Sequence, residues 1–343
     1  MQTRKSRNRA VLLVMVVVIL AGLLGLAYIL SQEDDKSSDG RTKVTLFMSY
    51  IPSVQFAPIY VAVERGYFAD EGIDISFDNN FDEANGVNRI ANNELSFGLV
   101  SGEQVLLARA NGRPVVYVFE WFHNFPVGVV SPVDLDITEP ADLVGHVIGI
   151  PGPQGASYIG LRALLAASGL TEADLTELKS IGFTAAASVC EDVVEAAAIY
   201  IANEPLKIQQ QCTEVNIIKV SDYATLVSNG LITNEQTIQD KPELVRGMVR
   251  AVQRGLADTL ADPDTAFTIS APKYVPDLSE DEYPTERQVL ENSLALWRSD
   301  QRLGQTNPAA WEATQSILIE TGLMAQPLDD LTACYNMTFL PEE

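Results

Sequence analysis

Three short stretches of this chain gather hydroxyl, amide, carboxyl and ring groups within a few residues. Ser101, Glu103 and Gln104 follow Val100; Ser157 and Tyr158 follow Pro151-Gly152-Pro153-Gln154-Gly155; Tyr200, Asn203 and Glu204 precede Pro205. A fourth stretch, Trp121-Phe122-His123-Asn124-Phe125, offers flat faces: Trp121, His123 and Phe125 are candidates to stack on a planar ring at low entropic cost. Ser53 and Gln55, in a turn after an apolar run, and the aromatic Tyr223 complete the candidate set. Such groups hydrogen-bond and stack. Glu204 can accept from ring N–H groups or hydroxyls, or it can satisfy the backbone amides of its own helix start. Ser101 has the same two readings, because serine is also a favoured N-cap.

Bond-making chemistry finds little support. The chain has two histidines, His123 and His146, and three cysteines with no C-x-x-C or Cys/His spacing, so neither a metal centre nor a paired acid and base is evident. No G-x-S-x-G elbow or Gly-Lys-Ser/Thr phosphate loop occurs. Pro151 and Pro153 each remove an N–H donor, which suits their loop to a flat neutral ligand better than to a phosphate.

The elements that must position these groups follow from the apolar pattern. A strand at 44–48 precedes a helix at 54–65; a strand at 97–100 precedes a helix at 103–110; a strand at 147–150 precedes a helix at 157–168; and a strand at 197–201 precedes a helix at 205–211. This alternation predicts βαβ units with parallel sheets, and it puts the polar loops at the carboxyl ends of strands, where α/β sheets bind ligands. Residues 125–133 read as an extended crossing segment, and 221–231 as a return. The expected organisation is therefore one lobe from 43–125 and 223–343 and a second from 126–222. The section after Pro242 reads as mostly helical.

Outside this body, Arg4, Lys5, Arg7 and Arg9 precede an uninterrupted apolar run from Ala10 to Leu30, and Glu33, Asp34 and Asp35 follow it. The run is long enough to span a bilayer, and the charge asymmetry predicts a single-pass signal-anchor over 1–30 with the remainder extracytoplasmic; cleaved secretion is the alternative. Residues 31–42 read as a polar linker. A net charge of -23 excludes nucleic acid and anionic surfaces as partners. In an exported chain a disulfide is permitted, and Cys190 with Cys212 is the closest pair; three unpaired thiols, Cys334 among them, are the other reading.

Two motifs carry a resemblance. Ala57-Pro58-Ile59-Tyr60-Val61-Ala62 with Gly66-Tyr67-Phe68, and Tyr200-Ile201-Ala202-Asn203-Glu204-Pro205, resemble the extracytoplasmic solute-binding proteins of ABC importers, in the branch of thiamine-pyrimidine and riboflavin binders. The resemblance spans about residues 43–325. It implies the type II periplasmic-binding-protein fold, two α/β lobes with a ligand cleft between them, and it implies that the Ser101 loop reads the ligand. It further implies delivery to an ABC permease driven by a cytoplasmic ATPase, no enzyme activity and no cofactor. Riboflavin is the expected transported ligand, with a thiamine pyrimidine as the alternative. A pyrimidine synthase of the same fold is the remote enzymatic reading, disfavoured by the lack of a cysteine cluster.

Overall fold

The computed structural model describes residues 36–276 and 278–342. The signal-anchor expected over 1–30, and most of the linker, lie outside the described residues. Among those described, no helix is long and apolar enough to cross a membrane.

Among the described residues, ten strands form two sheets of five. They are β1 Thr42–Met48, β2 Ile73–Asn79, β3 Phe97–Val100, β4 Val115–Glu120, β5 Val127–Pro132, β6 Val147–Ile150, β7 Glu177–Ser180, β8 Ala196–Tyr200, β9 Val215–Lys219 and β10 Gly230–Asn234. The first sheet has the order β2-β1-β3-β10-β4 and the second β7-β6-β8-β5-β9. In the first sheet β1 runs parallel to β2 and β3, and in the second β6 runs parallel to β7 and β8. The wholly parallel sheets expected from the alternation need correction, because β10 is antiparallel to β3 and β4, and β5 is antiparallel to β8 and β9. The reason lies in the two crossings. A chain that leaves one sheet and enters the next without an intervening α-helix arrives in the reversed direction, so the crossing segments become strands themselves.

Apolar packing explains why the lobes stay together. One buried cluster links Leu46, Ile59, Tyr60, Met248, Val252 and Trp297 in the first lobe. A second runs from Phe47 and Val105 through Phe125 and Leu161 to Trp311, joining both lobes. The helix Pro308–Glu320 packs against Gly102–Ala110 of one lobe and Gly155–Ala167 of the other. Helices Pro242–Ala261 and Pro263–Tyr274 pack against Ala57–Glu64. That contact is close: a Cβ at Gly255 would lie 2.1 Å from the Pro58 carbonyl oxygen, so only glycine fits there. Cys190 and Cys212 form a disulfide, and Cys334 is a buried free thiol.

Candidate ligand-binding site between the lobes

The carboxyl ends of β1, β2 and β3 face those of β6, β7 and β8 across a cavity of about 230 Å³. Ser49, Tyr50, Gln55, Phe81, Glu83, Ser101, Gln104, Trp121 and Asn229 line it from the first lobe; Gln154, Ser157, Phe183, Tyr200 and Glu204 line it from the second. Among the described residues, neither lysine, arginine nor histidine is in the lining. Among the described residues no group of His, Cys, Asp or Glu could hold a metal ion.

Each side of the cavity is built by a strand that ends and a helix that begins. On the first lobe Glu83 opens helix Glu83–Ala91, and its carboxylate accepts from the Ser101 backbone N–H at 2.6 Å and from the Ser101 hydroxyl at 3.0 Å. Ser101 stands at the N-cap position of helix Gly102–Ala110, yet its side chain makes no capping bond. Its hydroxyl serves Glu83 instead. Burial raises the Glu83 carboxyl above its usual range despite these donors. Next to it, Glu103 is buried and accepts from Gln104 Nε2 at 3.3 Å; burial, then the charge of Glu83, pushes it up to about 8.

On the second lobe Glu204 opens helix Glu204–Gln211. Its Oε2 is buried with no hydrogen-bond partner, and burial pushes the carboxyl up to about 7. At the cavity floor the Tyr200 hydroxyl lies 3.1 Å from Asn229 Nδ2, which ties β8 to the segment entering β10. Trp121 is buried, 5.7 Å from the Trp297 ring and 6.4 Å from that of Phe56, so its plane is fixed. The site is thus a rigid aromatic wall facing acceptor-rich carboxyls, amides and hydroxyls. It can hold a planar polar molecule.

Of the thirteen residues expected from sequence, Gln55, Ser101, Trp121, Ser157, Tyr200 and Glu204 line the cavity. The structure does not bring the other seven into its lining. Ser53 spends its hydroxyl on the Gln55 N–H at 3.2 Å as the cap of the turn Val54–Phe56. Glu103 faces Gln104 behind the wall. His123 turns to Glu120, 3.1 Å away, and lines a separate small void with Trp297 and Arg302; the Glu120 carboxylate raises the imidazole above its usual range. Phe125 fills the core beside Gly160. Tyr158 follows Ser157 on a helix, where neighbours diverge by about 100°, so its hydroxyl points away and donates to Glu172 at 2.7 Å. Asn203 is buried and donates to the Tyr50 hydroxyl at 3.3 Å. Tyr223 is 43% exposed, away from the cavity.

Sequence reasoning missed Tyr50, Phe81, Glu83, Phe183 and Asn229 as lining residues. A signal existed for four of them: Tyr50, Phe81, Glu83 and Phe183 stand just past the carboxyl ends of β1, β2 and β7, the position used to nominate the other loops. Asn229 had none, because β10 itself was not foreseen.

Residues 53–266 match the family described as NMT1/THI5 like. The riboflavin-binding protein RibY of Chloroflexus aurantiacus is 42% identical over 306 residues, covering 87% of this chain and 86% of the relative. The formylaminopyrimidine-binding protein of Halalkalibacterium halodurans is 25% identical, covering 90% of this chain and 95% of the relative. Among solved structures, the periplasmic aliphatic sulphonate binding protein SsuA of Escherichia coli superposes with a TM-score of 0.70 at 15% identity over 88% of this chain and 94% of that one, which shows the two-lobe periplasmic-binding-protein fold. Together, the match across most of the chain and the 42% identity establish that this protein belongs to the NMT1/THI5-like family.

Proposed function

We propose that the protein is the substrate-binding component of an ABC importer, that riboflavin is its ligand, and that it binds without turnover. The observation that carries this reading is the makeup of the cavity wall: aromatic rings, amides, hydroxyls and two carboxyls, with no cation. An anion such as a sulfonate would find no counter-charge there and would face Glu83 and Glu204. A neutral, flat, hydrogen-bonding ring system meets stacking faces and acceptors. The 42% identity to a riboflavin-binding protein supports the same ligand.

Within this reading Trp121 and Tyr200 flank the ring system, and Glu204 Oε2, buried and unpartnered, meets a ligand N–H or hydroxyl. Closure of the lobes would sequester the ligand until the loaded form docks on a permease coupled to a cytoplasmic ATPase. Titration of riboflavin with the portion beginning near Arg41 tests the proposal. Flavin fluorescence is expected to fall on binding as the ring stacks, and the flavin is expected to be recovered unchanged. Absence of quenching, with a calorimetric signal for a thiamine pyrimidine, would replace the ligand and keep the binding role. The relative that binds formylaminopyrimidine favours that second ligand.

A further inference from the structure

Two large apolar side chains are exposed at the cleft although water surrounds them: Phe81 at 44% and Phe183 at 56%. Phe81 follows β2 in the first lobe, and Phe183 follows β7 in the second. Their rings stack across the cleft, centroids 4.4 Å apart and planes inclined by 25°. Tyr50, which follows β1, meets both edge-on, at 5.7 Å from Phe81 and 6.2 Å from Phe183, and its hydroxyl accepts from Asn203 Nδ2 of the second lobe.

We propose that Tyr50, Phe81 and Phe183 form an aromatic clasp between the lobes that controls the rate of ligand exchange. A ring held between Phe81 and Phe183 would need roughly twice the ~4.5 Å of one stacked pair. At the observed separation the two phenyl groups bind each other, so they close the cleft instead of sandwiching the ligand. A contact made between the lobes in the closed arrangement stabilises that arrangement whether or not ligand lies beneath it. It therefore slows exit of a bound molecule. It also lowers the fraction of molecules open to receive one, which slows entry as well. A residue that is only part of the binding wall behaves differently: its loss speeds exit and leaves entry largely unchanged.

The clasp rests on the binding reading above, so its test has a ligand-free arm. Phe183→Ala and Phe81→Ala remove half-exposed side chains, and both variants are expected to fold. In stopped-flow mixing with riboflavin, each is expected to raise both association and dissociation rates about three- to tenfold, with the quenching at saturation retained. Without ligand, small-angle scattering of either variant is expected to show a larger radius of gyration than the wild type. Faster dissociation with unchanged association and altered bound fluorescence would make the rings ligand contacts and overturn the clasp. Unchanged rates and unchanged scattering would overturn it too. If the wild type binds no riboflavin, the ligand assignment falls alone, and the scattering comparison still decides the clasp.

Discussion

Glu204 is the residue at which electrostatics and recognition meet most directly. Its Oε2 has no partner, and burial holds its carboxyl near 7, so a proton is present over much of the range in which an ordinary glutamate is charged. Above pH 7, where the carboxyl is ionised, Glu204→Ala should weaken riboflavin binding by about 1.5–3 kcal/mol if the carboxylate makes a charge-assisted bond to the ligand, measured by calorimetry. Unchanged affinity with a lowered melting midpoint would instead make it a helix-start carboxylate. The pH dependence has a definite sign. The native pKa is raised above the unfolded value, so the native state holds more protons between the two, and stability falls as pH rises from about 4.5 to about 7. Glu83, Glu103, Glu120 and Glu286 shift in the same direction, so the wild-type curve sums several groups. The difference between wild type and Glu204→Gln isolates this one, and the variant's melting midpoint should decline less across that window.

At the scale of elements, part of the second lobe's face of the cleft rests on two short helices, Ala185–Cys190 and Glu204–Gln211. The first follows Phe183 and the second begins at Glu204. A disulfide from Cys190 to Cys212 joins their far ends, 22 residues apart in sequence. Closing a loop of that size stabilises a fold by about 2–4 kcal/mol. Replacing both cysteines with serine should therefore lower the melting midpoint by several degrees, as measured by calorimetry, and reductant should lower the wild type towards the same value. A midpoint indifferent to both changes would mean that helix packing alone fixes this face.

For the whole molecule, the acidic body and the basic, apolar N-terminal stretch imply opposite environments. The whole chain carries a net charge of -23 even with the basic Arg4, Lys5, Arg7 and Arg9 included, and the acidic body that supplies it is repelled by anionic headgroups. The run from Ala10 to Leu30 is suited to the bilayer interior. We propose that this run tethers the protein with its binding body outside the cell. The full chain should fractionate with membranes, and removal of residues 1–30 should release a folded, binding-competent protein. Recovery of the native protein in the medium, with an N-terminus beyond Leu30, would show cleavage in place of anchoring.

Local pattern by itself determined the strand-to-helix units, because apolar runs, caps and prolines are read over a few residues. It thereby placed Gln55, Ser101, Ser157, Tyr200 and Glu204 at strand ends that turned out to line one cavity. Local pattern could not determine direction or facing. Whether 127–132 is a linker or the antiparallel strand β5 depends on which edges are left open in a sheet assembled from distant residues. Whether Ser157 or its neighbour Tyr158 faces the cavity depends on how one helix is rotated against the opposite lobe. His123 looked unpartnered until the fold turned it onto Glu120, three residues away. The contact of Phe81 with Phe183 joins positions about a hundred residues apart, past the ends of two different strands, and only closing two lobes over one another brings those rings together.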